Sequence, residues 1–261
     1  MESLKTNRAK RAKHGEIFVE GIESIKQLLK SNLEITRIIT TAKKSFWAEE
    51  VIGRYSGSRF DSSISGTKII EISGDLYRKL CDKNDPSEML VTAKMPVNKL
   101  PFPDTQKNPF IIVLDRPSDS GNLGSIIRSA NAFNVDTVLI MGHGVDPWDP
   151  KTIRASLGGI FFNVPVQLRS FPELLEYINA LKTACGLKIL GTDSAGAVSL
   201  DKTALKRPLM LILGNEAKGM SQALKSVCDG IIAIPVSGNV NSLNISCAAG
   251  IFMWEEYKNS V

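Results

Sequence analysis

The sequence predicts an α/β protein. Its C-terminal part reads as a mostly parallel sheet with helices on both faces, and a smaller α/β unit precedes it. Three observations carry this prediction. From Phe110 onward, short continuous apolar runs alternate with segments of helical periodicity, as in strands buried on both faces of a parallel sheet. Before residue 96 a shorter alternation of the same kind occurs. Between the two lies PVNKLPFPDTQKNP, with four prolines and little apolar periodicity, which is the composition of a semi-rigid linker. The predicted organisation is therefore a domain over 1–95, a linker over 96–109 and a second domain over 110–261.

In the first domain, EIFVEGIESIKQLLKS predicts a strand, a Gly turn and an amphipathic helix with Ile22, Ile25, Leu28 and Leu29 on one face. EITRIITT alternates as a strand. SFWAEEVIGRY is helical, with Phe46, Val51 and Ile52 as candidate core positions. TKIIEIS is a strand, Ser73 is placed to cap a helix running through Leu80, and EMLVTAKM is a further strand. In the second domain the predicted strands are 111–114, 137–141, 187–190, 209–213 and 231–234. Helices are predicted to begin near Asn122, Asp149, Phe171, Met220 and Ser242.

Length and composition set the class. With 261 residues, 43% of them apolar, the chain has enough core for one large or two ordinary domains. No apolar run reaches the length of a membrane span and the basic N-terminus has no apolar segment behind it, so a cytoplasmic protein with no membrane partner is expected. The cysteines Cys81, Cys185, Cys228 and Cys247 show no paired spacing, which predicts buried free thiols and no metal site.

Charge is concentrated rather than spread. Residues 1–44 hold ten Lys or Arg against five Asp or Glu, and the remainder is balanced at 22 of each. Lys5, Arg8, Lys10, Arg11 and Lys13 form a basic arm suited to a polyphosphate backbone. A solvated terminus would give the same composition.

Ligands of parallel sheets bind beyond the carboxyl ends of the strands, and three strand exits are rich in Gly and polar residues. In LDRPSDSGNLGSIIRSANAF, Asn122 lies between Gly121 and Gly124, and Arg128 follows six residues later. A cation near a helix start gains nothing from the macrodipole. Arg128 therefore reads as held by a partner, either Asp115 or Asp119 or a phosphate-bearing ligand. LILGNEAKGMS has the Gly spacing of a phosphate loop but carries Met220 where the phosphate-binding Lys is needed. Its Glu216 would also repel a triphosphate, so a nucleotide triphosphatase is disfavoured. IPVSGNVNSLNIS places Asn241, Ser242 and Asn244 at the opening of an apolar helix, as an N-cap or as a site. His14 and His143 are the only histidines, and His143 reads as a loop residue.

These three stretches, in this order, resemble the three motifs of the SpoU (TrmH) family in the SPOUT superfamily of S-adenosylmethionine-dependent RNA ribose 2'-O-methyltransferases. RASLGGIFFNVPV (154–166) between them also resembles that family, and the likeness covers about 110–258. IFVEGIESIKQLL resembles, more weakly, a ribosomal-protein-like RNA-binding domain often fused ahead of it. The resemblance implies a deep trefoil knot in the C-terminal sheet and a homodimer with each site completed across the interface. It implies an interface helix bearing Ala248, Ile251, Phe252 and Trp254. It also implies a methyl-donor site of Leu213, Gly214, Asn215, Glu216, Gly219, Ile234, Ser242, Leu243 and Asn244. Arg128 is implied as the activating residue, either as a base or as a cation, with Asn122, Glu216, Ser242 and Asn244 shaping the catalytic site.

Two departures stand out: Ala217 where Gly is frequent, and Asn241 where an acid is common. The function implied is methyl transfer to a ribose hydroxyl of structured RNA, ribosomal in preference to transfer RNA. The rival is a catalytically silent RNA-binding protein of the same fold.

Overall fold

The computed structural model of the protein describes residues 1–55, 67–81, 87–196, 198–239 and 241–260. It divides into two compact units, 1–97 with 146–162, and 98–145 with 163–261. The stretch 146–162, which sequence patterning leaves inside the second domain, thus packs within the first.

The first unit is built on a four-stranded sheet of order β1-β4-β2-β3, from β1 (Glu16–Glu20), β2 (Ile35–Thr40), β3 (Lys68–Glu71) and β4 (Leu90–Lys94). β4 runs antiparallel to both neighbours, while β2 and β3 are parallel. The amphipathic helix α3 (Ile22–Lys30) buries Ile25, Leu28 and Leu29 as its periodicity requires. In α4 (Ser45–Tyr55) Val51 is buried, but Phe46 is 79% exposed. Phe46 is the second residue of the helix, and five positions of helical rotation turn it away from Val51. Ser73 accepts the backbone N–H of Leu76 and caps α5 (Gly74–Leu80), as expected.

The N-terminal residues form no extended arm. They fold into α1 (Glu2–Thr6) and α2 (Arg8–His14), the second capped by Asn7, whose side chain accepts from the Lys10 N–H at 3.0 Å. Leu4 joins a core with Phe18, Ile39, Tyr77 and Leu90. A five-residue helix is too short to stand alone, and Arg11 holds this one. Its guanidinium is 2% exposed and donates to the Leu4 carbonyl at 2.7 Å and the Lys5 carbonyl at 3.2 Å. Those carbonyls lie in the last turn of α1, where no helical partner exists. The other edge of Arg11 meets Asp146 at 3.0 and 2.7 Å. The segment 146–162 adds α7 (Pro150–Ala155), capped by Asp149 and packed on β1, where Arg154 reaches the buried Glu20 at 3.3 Å.

The second unit is a seven-stranded sheet of order β7-β6-β5-β10-β8-β11-β9, parallel throughout. Its strands are β5 (Phe110–Asp115), β6 (Thr137–Met141), β7 (Val166–Leu168), β8 (Lys188–Thr192), β9 (Val198–Ser199), β10 (Leu209–Leu213) and β11 (Gly230–Ala233). The five apolar runs of the sequence are all strands. β7 and β9 are too short to give a periodic signal. The helices are α6 (Ser120–Ala132), α8 (Phe171–Cys185), α9 (Gln222–Lys225) and α10 (Ile245–Ser260).

One core lies between the sheet and α8, with Ile111, Leu139, Leu174, Ile178, Ile189 and Met210 among its members. α10 packs beside α6 and is anchored by Glu256, which is fully buried and held by Arg207 at 2.7 and 3.1 Å. Among the cysteines, Cys81 is buried but Cys247 is exposed on α10. That corrects the expectation of buried thiols, because Cys247 lies on the outward side of the first turn. No helix among the described residues is long and apolar enough to cross a membrane.

Candidate active site

Sheet order explains why distant sequence stretches meet. β5, β10, β8 and β11 are consecutive neighbours and all parallel, so their carboxyl ends open along one edge. The loops leaving β10 and β11 and the start of α6 supply the three exits singled out above. A fourth exit, Thr192-Asp193-Ser194 after β8, joins them. Together they line a cavity of about 580 Å³, which is in the range of small-molecule sites.

Asn122, Leu213, Gly214, Asn215, Glu216, Gly219, Ile234, Ser242, Leu243 and Asn244 all line this cavity. The apolar part of the wall comes from Leu213, Ile234, Val236, Leu243, Ile245, Ala248 and Phe252. The polar part is tied together across the chain. The Asn244 amide donates to Asn122 Oδ1 at 3.0 Å, and the Asn122 amide donates to Glu216 Oε1 at 3.2 Å. Glu216 Oε2 accepts from the Ser118 hydroxyl at 2.6 Å and from its backbone N–H at 3.2 Å. One residue from each exit therefore belongs to a single hydrogen-bonded chain. Burial pushes the Glu216 carboxyl up, but the Ser118 hydroxyl, the backbone N–H groups and the Asn122 amide outweigh it and hold the group below the ordinary carboxylate range. Glu216 is an anion at neutral pH.

The loop after β10 is shaped by its own side chains. Asn215 Oδ1 accepts the N–H groups of Ala217 and Lys218, both at 3.0 Å, and its amide donates to the Arg116 carbonyl at 2.7 Å. Backbone pairing of Asn215 with Gly219 folds the loop back on itself. A Cβ on Gly214 would lie 2.4 Å from the Met220 backbone N, and Gly219 has φ +63°. Glycine is required at Gly214 by the close backbone approach and favoured at Gly219 by its left-handed φ. Ala217 is not among the positive-φ residues, so its extra methyl adds no backbone strain. At the base of the loop Asp115 accepts the Ser221 N–H at 2.7 Å and pairs bidentately with Nε and Nη2 of Arg116 at 2.7 and 3.0 Å. Burial opposes its charge, and the Arg116 and Ser221 bonds hold it low nonetheless.

Several expectations need correction. α10 begins at Ile245 and not near Ser242, and of the three cap candidates it is Asn244 whose Oδ1 accepts the Ser246 N–H at 2.8 Å. Ser242 is exposed on the cavity wall instead. Asp115 and Asp119 do not pair with Arg128, since Asp115 is engaged by Arg116 and Asp119 caps α6 through the Asn122 N–H at 2.7 Å. Arg128 is exposed on α6 and does not line the cavity. Six residues rotate it by about 240° from Asn122 on the helix. Arg11 is buried under Asp146 and cannot serve as a phosphate ligand. Arg8, Lys10 and Lys13 are exposed and Lys5 is half-buried, all on α1 and α2.

Thr192, Asp193 and Ser194 are site residues that motif reading missed. A signal existed, because GTDSAG follows an apolar strand directly. Asp193 is held low first by the Ala195 N–H and then by Lys225, whose Nζ lies 3.1 Å away. No group of three metal-binding side chains occurs among the described residues. The cavity is thus apolar along one wall and anionic along another, with two carboxylates, Glu216 and Asp193. It suits an amphipathic ligand bearing positive charge.

Comparison with known proteins bears on which ligand that is. Residues 109–254 match the SpoU rRNA Methylase family, and residues 1–91 match the MRM3-like substrate binding domain. The chain belongs to the SpoU rRNA methylase family. The SpoU match spans all three motif-bearing exits and the Asp193 loop. A 23S rRNA (uridine(2479)-2'-O)-methyltransferase of Streptomyces viridochromogenes is 29% identical over 100% of this chain and 88% of its own length. The 23S rRNA (guanosine(2553)-2'-O)-methyltransferase RlmP of Bacillus subtilis is 27% identical over 94% and 89%. The crystal structure of the SpoU methyltransferase AviRb from Streptomyces viridochromogenes, in complex with the cofactor AdoMet, aligns with a TM-score of 0.82 at 29% identity. That alignment covers 98% of this chain and 95% of AviRb.

Proposed function

We propose that this SpoU-family chain is an S-adenosylmethionine-dependent RNA methyltransferase acting on a ribose 2'-hydroxyl, of ribosomal RNA in preference to transfer RNA. The observation that carries the reading is the chain Asn244–Asn122–Glu216–Ser118. It joins the three motif-bearing exits around one cavity of suitable size. The relatives above, named as 23S rRNA 2'-O-methyltransferases, support ribosomal RNA as the substrate class.

The residues present fit the methyl donor. The wall formed by Leu213, Ile234, Leu243 and Phe252 offers apolar surface to an adenine ring, and Glu216 and Asp193 complement its cationic groups. Bound there, the donor supplies an already activated methyl carbon. The protein's part is to orient the donor against the ribose and to favour the developing alkoxide. Asn122 and Asn244 fix the carboxylate of Glu216, and the folded-back loop at Gly214–Gly219 limits the ways a ligand can lie. Arg128 acts as a cation on the target phosphate and alkoxide, since a guanidinium stays protonated.

Its distance from the cavity wall is accounted for by a homodimer in which Arg128 of one copy serves the other's site. The exposed flank of α6 and α10 supports such an interface. Trp254, 51% exposed, stacks on Tyr257 at 6.1 Å and meets the Phe133 ring at a tilt at 6.0 Å, and Ile251 is also exposed. The trefoil knot and a cytoplasmic location, where ribosomal RNA is available, belong to the same reading.

The test is transfer of tritiated methyl from S-adenosylmethionine to total RNA of a strain lacking the protein, followed by mapping. Label at one ribose of ribosomal RNA is expected. Label in no RNA would leave a binding protein of this fold.

A further inference from the structure

A second cavity, of about 230 Å³, lies in the first unit and is lined by Ser3, Leu4, His14, Glu16 and Arg37 together with Met1. It is smaller than the roughly 300 Å³ at which drug-sized pockets begin, so it suits one planar group. Its floor is a polar rung across the sheet. Glu16 on β1 and Arg37 on β2 flank β4, where Glu16 registers with Lys94 and Arg37 with Thr92. Farther along the same face, Phe18, Leu90 and Ile39 are covered by Leu4 and Tyr77. The helices close the apolar end of this face and leave its charged end open.

The bonding on the rung is incomplete. Arg37 uses one nitrogen, Nη1, for both Glu16 Oε2 at 2.7 Å and the Thr92 hydroxyl at 3.3 Å. Its Nε and other terminal nitrogen make no hydrogen bond among the described residues, nor does Glu16 Oε1. Yet the Glu16 side chain is 11% exposed. Its second oxygen is not sealed from solvent and is therefore available to a ligand in the slot. Beside it the guanidinium offers free donors in a fixed plane. Donor and acceptor thus stand side by side at the bottom of a narrow slot, with the His14 ring on its wall. Lys10 and Lys13 are exposed on the same helix as His14.

We propose that this slot receives a single unpaired nucleobase of the RNA substrate, reading its hydrogen-bonding edge through Glu16 and Arg37 while His14 stacks on its face. Single-stranded RNA is recognised by stacking of splayed bases together with edge hydrogen bonds. A base with adjacent donors and an acceptor, such as guanine, matches the pair best. Lys10 and Lys13 then neutralise flanking phosphates without reading sequence. The inference rests on RNA being the substrate and assigns the base-reading part of it.

The experiment uses the full chain and a random-sequence eight-nucleotide RNA pool, with sequencing of the bound fraction. The wild-type chain is expected to enrich one base at one position. Glu16→Gln and Arg37→Lys should flatten that enrichment at least fivefold. His14→Ala, on an exposed residue that does not threaten folding, should weaken binding about tenfold, as loss of one stacked base does. The paired Lys10→Ala, Lys13→Ala variant should keep the enrichment and lower only the salt dependence.

Unchanged enrichment in Glu16→Gln together with undiminished RNA binding by His14→Ala would overturn the slot while leaving the methyltransferase reading intact. Retention of no RNA by the wild-type chain would overturn both the slot and RNA binding by this unit. Donor binding measured separately would then say whether the active site stands.

Discussion

The loops after β5, β10 and β11 and the N-terminal helices are both regions that sequence alone marks as functional, and the structure treats them differently. In the first, every residue proposed for the donor site lines one cavity, although the partners are 94 and 122 residues apart. In the second, the five bases expected to face a phosphate backbone split. Arg8, Lys10 and Lys13 are exposed, while Arg11 is sealed under Asp146. The difference lies in what each signal measures. A polar residue directly after an apolar parallel strand has its place set by the strand, and parallel strands deliver their exits to one edge. A count of charges gives the sign of a region and says nothing about which member turns inward. Long-stemmed Arg, with five donors, is the cation most suited to internal use.

Substitutions can break this contrast. The largest effect should come from Arg11→Ala, which strands Asp146 and the end carbonyls of α1. A loss of about 3–5 kcal/mol in urea unfolding is expected, and a loss below 1 kcal/mol would return Arg11 to the surface. Arg128→Ala comes next. Turnover should fall about 10²–10³-fold, as on loss of a transition-state donor. Donor affinity, read by calorimetry, should stay within about twofold.

Glu216→Gln should weaken donor binding about tenfold, the loss of one charge-assisted contact. Because the folded carboxyl sits below its ordinary range, its contribution to stability is complete above about pH 4.3. That contribution is lost as the pH falls below this toward the folded value. Wild-type donor affinity should accordingly be flat between pH 8 and pH 5.5 as far as Glu216 is concerned, and a titration in that window would contradict the assignment. Lys10→Ala and Lys13→Ala should each reduce the salt slope of RNA binding by about one, with no change in stability. Ala217→Gly should be the smallest, within about 0.5 kcal/mol in unfolding and without effect on donor binding.

Much of the second unit was legible because its strands are continuous apolar runs bounded by Gly and Pro. Four of the seven escaped bounds errors larger than one residue, since TVLIM and LMLIL admit no other register. β9, at two residues, has no period to detect. The Asp193 loop matches none of the three motifs, and GTDSAG presents its polar groups in a row that an ordinary turn would also show. Ser118 was missed because its role depends on Glu216, 98 residues away, and no local pattern encodes that meeting. The start of α10, expected near Ser242, lies at Ile245 because three cap-forming side chains, Asn241, Ser242 and Asn244, compete in one turn. The bond from Asn244 to Ser246 decides it. The inclusion of 146–162 in the first unit follows from Asp146 meeting Arg11 and Arg154 meeting Glu20, which are contacts between residues more than a hundred positions apart.

The central claim is that the exits from β5, β10 and β11 form one donor site. Calorimetric titration of the full chain with S-adenosylmethionine tests it most directly, with Asn122→Ala, Asn244→Ala and the double variant run beside the wild type. The account predicts one donor per chain for the wild type, weakened binding in each single variant, and a double variant no weaker than the worse single one, because the two amides act as a linked pair. Absence of binding to the wild type, or fully additive losses, would contradict it.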